Sequence, residues 1–141
     1  QKAMEIIKKL HGNKVKYIKA QDLNYDDYLK SYESCHIFLD MVYAYDQGYN
    51  ALEAMAKGKV VFTGAEKEWL DYYNLEEDSV AINALPDINY LVKKLSDLIN
   101  NPEKIESIGV NARKFIENHH EFKNIASIYE DKWLKALNNE K

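Results

Sequence analysis

The stretch Tyr45-Asp-Gln-Gly-Tyr-Asn-Ala-Leu-Glu-Ala-Met-Ala-Lys-Gly-Lys-Val-Val61 decides the fold. A glycine precedes a run of small and helix-forming residues, a second glycine closes that run, and apolar β-branched residues follow. Gly48 leaves the helix opening unobstructed, so the free N–H groups of the first turn can receive a phosphate oxygen or a sugar hydroxyl. Ala54 and Ala56 let the helix lie close to a sheet. Glu53 falls in the second turn, near enough to the strand ends to face a ligand there. Gly58 reads as the left-handed helix stop, and residues 59–63 read as a strand covered on both faces.

The same alternation continues outward. Ala3, Ile6, Ile7 and Leu10 share one helical face, which Gly12 and Asn13 close. Residues 15–18 alternate like a strand. Asn24 caps a helix carrying Asp26 and Asp27 in its first turn and Tyr28, Leu29 and Tyr32 on its apolar side. Residues 37–42 read as a short, mostly apolar strand covered on both faces. Downstream, residues 66–74 read as a short helix with Trp69 and Tyr73, and 79–83 as a fourth strand. Three amphipathic helices follow, built on Ile88–Ile99, Ile105–Ile116 and Phe122–Leu137, the first two separated at Asn101-Pro102.

Strands alternating with helices imply a parallel sheet, so the expected class is α/β: a Rossmann-like, doubly wound sheet of about four strands with C-terminal helices. Ligands on such sheets bind at the carboxyl ends of the strands. That puts the useful loops near 20–23, 42–48, 63–66 and 83–87.

Composition narrows the partners. The chain has 141 residues, enough to bury roughly 70% of its unfolded surface in a single domain. It shows no repeat and no low-complexity stretch. Nineteen basic side chains face 23 acidic ones, scattered and interleaved, without the basic face that grips a polyphosphate backbone. Nucleic acid is therefore not an expected partner. The single cysteine, Cys35, excludes an intramolecular disulfide and reads as a buried structural thiol, which suits a cytoplasmic location. No apolar run reaches the roughly 18 residues a membrane span needs. The chain opens on Gln1 rather than Met, and its first ten residues read as an amphipathic helix, so it is expected to begin inside a longer protein.

Around Gly48 and Glu53 the sequence resembles the group 1 glycosyltransferases of the GT-B type. That family carries a glutamate, a Gly-Phe-Gly turn, and a Leu-Glu-Ala-Met-Ala helix followed by Gly-Lys-Pro-Val. This chain keeps Gly48, Leu52, Glu53, Ala54, Met55, Ala56, Gly58, Lys59 and Val61 in register. Upstream, residues 23–32 leading into Cys35-His-Ile-Phe38 are similar to the family's helix and strand before the motif. Downstream, Asn111-Ala-Arg-Lys-Phe115, His120 and the helix with Tyr129 and Trp133 look like its C-terminal end.

The resemblance implies that the whole chain, 1–141, is the C-terminal, nucleotide-sugar-binding half of a two-domain enzyme whose N-terminal acceptor domain and first strand lie outside it. Glu53 would accept hydrogen bonds from the ribose hydroxyls, a role that suits a carboxylate because it only accepts and each bond to a charged group contributes about 1.5–3 kcal/mol. Gly48, Tyr49 and Asn50 would face the sugar and diphosphate of a UDP- or GDP-linked donor, and the loop ending at Leu23 would lie beside the base. Transfer in the family generally retains the anomeric configuration, without a required metal or other cofactor. The partners implied are the nucleotide-sugar and a glycan or lipid-linked acceptor, in a hexosyltransferase-like reaction of bacterial surface-glycan synthesis, with the full-length protein cytoplasmic or peripheral at the inner membrane. The fragment alone would be inactive and could self-associate through its last helix.

Two departures stand out. Tyr45 occupies the place of the family's first motif glutamate, with Asp46 and Gln47 in place of the usual Gly and Phe. Asp46 is the candidate substitute acceptor. The family's diphosphate-binding Arg and Lys lie near the start of this domain or just before it; this chain is expected to begin after that region, and neither is assigned here.

Blander readings compete. Alone, Glu53 reads as a solvated helix residue; within the matched register it reads as a ligand-facing carboxylate. His119 and His120 read as complements to a helix dipole, with no further ligands at metal spacing. Asp40, inside an apolar strand, is either a strand-end residue near the site or bonded to backbone. Tyr43, Tyr45 and Tyr49 could stack on a base or sugar. Two functional alternatives remain: a degenerate transferase-like domain serving as a binding or scaffolding module, marked by Tyr45, and another nucleotide-sugar enzyme on the same fold, such as an epimerase.

Overall fold

The structure, a computed structural model, describes residues 1–139. Helices α1 (Lys2–His11) and α2 (Tyr25–Ser34) precede strand β1 (Ile37–Leu39). Helix α3 (Tyr49–Ala56) leads to β2 (Val60–Thr63), and α4 (Lys67–Tyr73) leads to β3 (Ile82–Asn83). Three helices close the chain: α5 (Ile88–Asn100), α6 (Pro102–His119) and α7 (Phe122–Asn139). The elements start where local chemistry directs. The Asn24 side chain accepts from the Asp27 N–H at 2.9 Å, and Asp87 Oδ1 accepts from Asn89 and Tyr90 at 2.7 and 3.0 Å. Caps of this kind contribute about 1 kcal/mol each. Gly58 takes a φ of +69° behind α3, as a helix stop requires.

The strands form one parallel sheet in the order β1-β2-β3, with Ile37 opposite Val60, Leu39 opposite Phe62, and Thr63 opposite Asn83. β2 is buried along its whole length. Its side chains alternate between faces. Val60 and Phe62 pack with Ile7, Ile82, Leu95 and Leu98, so α1 and α5 cover that face. Val61 packs with Tyr32, Ala54, Met55, Trp69 and Phe115, so α2, α3, α4 and α6 meet on the other. The α/β, doubly wound, Rossmann-like class is as expected.

The strand count is corrected. Three strands are present among the described residues, not four. Val15 is extended, at φ −126° and ψ 126°, but residues 15–18 pair with no neighbouring strand. Alternation specifies a face, whereas a strand also needs a ladder partner for its N–H and C=O groups. Instead the segment borders a groove of about 750 Å³ whose walls include Ile7, Val15, Ile37, Leu95 and Ile105. The predicted strand at 79–83 shortens to Ile82–Asn83, and the one at 37–42 ends at Leu39.

α7 starts where Glu121 Oε2 accepts from the N–H groups of Lys123 and Asn124 at 2.8 and 3.1 Å. Its Tyr129, Trp133, Leu134 and Leu137 side chains remain exposed, Trp133 by 66%. No helix among the described residues is long and apolar enough to cross a membrane.

Candidate functional site

At the carboxyl end of the sheet, a loop follows each of β1, β2 and β3, and a polar side chain stands at each junction. Asp40 follows β1 and stays in the ladder through its N–H, which donates to the Phe62 carbonyl at 3.0 Å. Thr63, fully buried at the end of β2, donates its hydroxyl to Asp40 Oδ2 at 3.4 Å. Asn83, at the end of β3, accepts from the Ala65 N–H at 3.2 Å. Asp40 is thus a strand-end residue whose side-chain partner is a hydroxyl, not backbone. Burial pushes its carboxyl above the usual range, and the Thr63 bond pulls partly the other way.

The loop from Asp40 to Gly48 is held by its neighbour after β2. Gln47 Nε2 donates to the Gly64 carbonyl, and the Gln47 N–H donates to Asp46 Oδ1 at 2.7 Å. A Cβ built on Gly64 would collide with the backbone of Ala44, Tyr45 and Asp46. Gly64 therefore permits the motif loop to lie directly on the β2–α4 turn. The sequence reading placed residues 63–66 among the site loops but gave Thr63 and Gly64 no role of their own. A polar residue and a glycine ending an apolar strand were the available signal.

Gly48 caps α3 with an ordinary φ of −80°, and no side chain caps the helix. A Cβ there would touch only Met41 Cε, at a comfortable 3.8 Å. The fold does not itself demand glycine at 48; the space above it is open. Tyr49 and Asn50 begin the helix and are exposed, Tyr49 by 88%. Ala51, Ala54 and Met55 bury the inner face of α3. Glu53 is half-buried one turn in, and its carboxylate accepts no hydrogen bond among the described residues. Glu53, Gly48, Tyr49 and Asn50 are thus brought together by one helix.

Tyr45 points outward, 85% exposed. Asp46 is exposed beside Tyr73 and His120, and its negative charge is a minor upward influence on the pKa of each. Tyr73 moves up chiefly because it is buried. His120 moves below the usual imidazole range because burial and the neighbouring His119 outweigh Asp46. His119 packs edge-on against Tyr73, with ring centres 4.8 Å apart, and also against Phe115. Leu23 is exposed in the loop before α2 and is joined to the motif residues by no hydrogen bond among the described residues. Tyr32, buried behind the site, is a further residue the sequence reading gave no site role: its hydroxyl has no hydrogen-bond partner among the described residues. No three His, Cys, Asp or Glu side chains among the described residues converge as a metal site would require.

Comparison with known proteins agrees with this architecture. A family model described as glycosyl transferase-like matches residues 3–131. No curated protein sequence matches the chain. Among solved structures, sucrose-phosphate synthase from Thermosynechococcus elongatus superposes with a TM-score of 0.64 at 18% identity, over 98% of this chain and 34% of that one. The likeness at that identity is one of fold, and the chain spans about a third of the length of that protein. The sheet, the helix that follows Gly48 and the family match over nearly the whole length agree, and the chain belongs to the glycosyl transferase-like family, as a group 1 glycosyltransferase domain of GT-B, Rossmann-like fold.

Proposed function

We propose that this domain binds the nucleotide-sugar donor of a glycosyl transfer reaction. The observation that carries the reading is the unpartnered Glu53 carboxylate one turn behind the uncapped N-terminus of α3, at the carboxyl end of the sheet. The free N–H groups of Tyr49 and Asn50 and the open space above Gly48 suit the diphosphate and sugar of the donor. Glu53 accepts from the two ribose hydroxyls, the base lies toward the loop at Leu23, and the sugar lies toward Tyr45 and Asp46. Asp46 takes the acceptor role that the family's first glutamate fills. The donor is UDP- or GDP-linked, and transfer retains the anomeric configuration without a metal.

The acceptor, a glycan or a lipid-linked one, belongs to an N-terminal domain outside residues 1–141. The two halves close around the reacting carbons, so this domain alone is inactive. The setting is cytoplasmic synthesis of a bacterial surface glycan. The exposed Tyr45 in place of a glutamate favours one second reading, a degenerate domain that binds without transferring.

The test is transfer by the full-length protein supplied with UDP- and GDP-sugars. Glu53→Gln is expected to lower kcat/KM for the active donor by at least about tenfold, as loss of bonds to a charged group implies. Full activity in that variant would refute the donor-site reading. Donor binding without turnover in the wild type would favour the degenerate domain.

A further inference from the structure

Tyr32 is fully buried, and its hydroxyl has no hydrogen-bond partner among the described residues. A phenol at 32 therefore costs stability that a phenylalanine would not. Its ring is fixed on three sides. Tyr28 and Phe38 meet it edge-on at 5.1 and 5.0 Å, and Lys57 Nζ lies 5.8 Å from its centre. Lys57 stands four residues after Glu53, so both side chains occupy the same face of α3. Ala51, Ala54 and Met55 of α3 share the buried cluster that holds Tyr32. Burial first, then the neighbouring Tyr28 hydroxyl, then the charges of Glu53 and Asp40 push the Tyr32 pKa above the usual phenol range; Tyr28 stands beside the Tyr32 hydroxyl without completing a hydrogen bond of normal geometry. Of the two carboxylates, Asp40 already accepts from Thr63, while Glu53 accepts from nothing among the described residues.

We propose that Tyr32 is a positioning residue: in the filled site its hydroxyl donates to one carboxylate oxygen of Glu53 and turns the other toward the vicinal hydroxyls of the nucleotide ribose. The inference rests on the reading of Glu53 as the ribose-binding residue. Tyr32 is enclosed and does not touch the ligand; it acts through Glu53. A carboxylate can accept from the phenol and from both ribose hydroxyls at once, because its two oxygens carry about four lone-pair sites.

The experiment measures, on the full-length protein, affinities for UDP, GDP and their 2′-deoxy forms, together with the thermal midpoint. In Tyr32→Phe the midpoint is expected to hold or rise, because the orphan hydroxyl is gone. Ribonucleotide affinity is expected to fall about tenfold, and the preference for ribose over 2′-deoxyribose to shrink with it. Tyr28→Phe, which removes a hydroxyl from the same aromatic stack, is expected to leave that preference intact. Glu53→Gln abolishes it. An unchanged preference in Tyr32→Phe, alongside its loss in Glu53→Gln, would overturn the positioning role and leave the donor site standing. Equal loss in Tyr28→Phe would also overturn it, by tracing the effect to the neighbouring Tyr28 hydroxyl rather than to Tyr32. An unchanged preference in Glu53→Gln would remove both.

Discussion

Gly109 of α6 lies against Gly58, the residue that ends α3, so closely that a Cβ on Gly109 would overlap the Gly58 carbonyl oxygen. Backbone meets backbone there, with no flexible side chain to give way. Gly109→Ala is expected to destabilise the domain by about 1–3 kcal/mol, the usual cost of forcing a methyl group into a packed contact. Chemical denaturation of the variant beside wild type checks this; equal midpoints would mean that α6 can slide without cost.

Gly64 plays the corresponding part at the site. Its Cα lies on the backbone of residues 44–46, and its carbonyl accepts from Gln47. Gly64→Ala is expected to push the motif loop away from the sheet and weaken nucleotide binding by about tenfold, with a stability loss of about 1–3 kcal/mol. Calorimetric titration on folded variant separates the two effects. Undiminished affinity would show that the loop does not shape the site.

Asp40 gives a prediction with a sign. Burial raises its folded pKa above the unfolded value, so the native state binds the extra proton between those two values. Stability therefore falls as pH rises through that window, and at neutral pH the ionised form is penalised. Asp40→Asn retains an oxygen that can accept from Thr63 and carries no charge. Its thermal midpoint is expected to match or exceed wild type at pH 7, and the difference to shrink as pH falls below the ordinary aspartate range. A variant clearly less stable at pH 7 would contradict the burial argument.

These relationships mark what the sequence could convey. The Gly48–Gly58 helix, the buried β2 run and the Asn24 cap are local patterns, each fixed by neighbours within a few residues, and each was legible. The strand expected at 15–18 was not, because alternation cannot say whether a ladder partner stands beside it. Asp40 was conspicuous in the sequence, but its partner Thr63 is 23 residues away. Contacts between Gly58 and Gly109, or Gly64 and Ala44, depend on how distant elements cross. A tyrosine with an orphan hydroxyl looks in sequence like any other aromatic on an apolar helix face. The family register pointed to Glu53; only the buried hydroxyl, in the cluster that Tyr32 shares with α3, pointed to Tyr32.

The exposed Tyr129, Trp133, Leu134 and Leu137 on α7 form an apolar strip. The isolated chain is expected to associate with itself in a concentration-dependent manner, and Trp133→Glu with Leu137→Glu to shift it to monomer. Sedimentation velocity over a hundredfold concentration range reads this directly. A wild-type chain that stays monomeric throughout would contradict it.

The central claim is that Gly48, Tyr49, Asn50 and Glu53 form a nucleotide-sugar site, and NMR titration of this chain with UDP and with GDP, beside Glu53→Gln, tests it most directly. The expected result is saturable shifts at the amides of these residues for one nucleotide, weak, with a Kd on the order of 1 mM, and lost in the variant. A well-dispersed spectrum that neither nucleotide perturbs, with full-length protein equally silent, would contradict the claim.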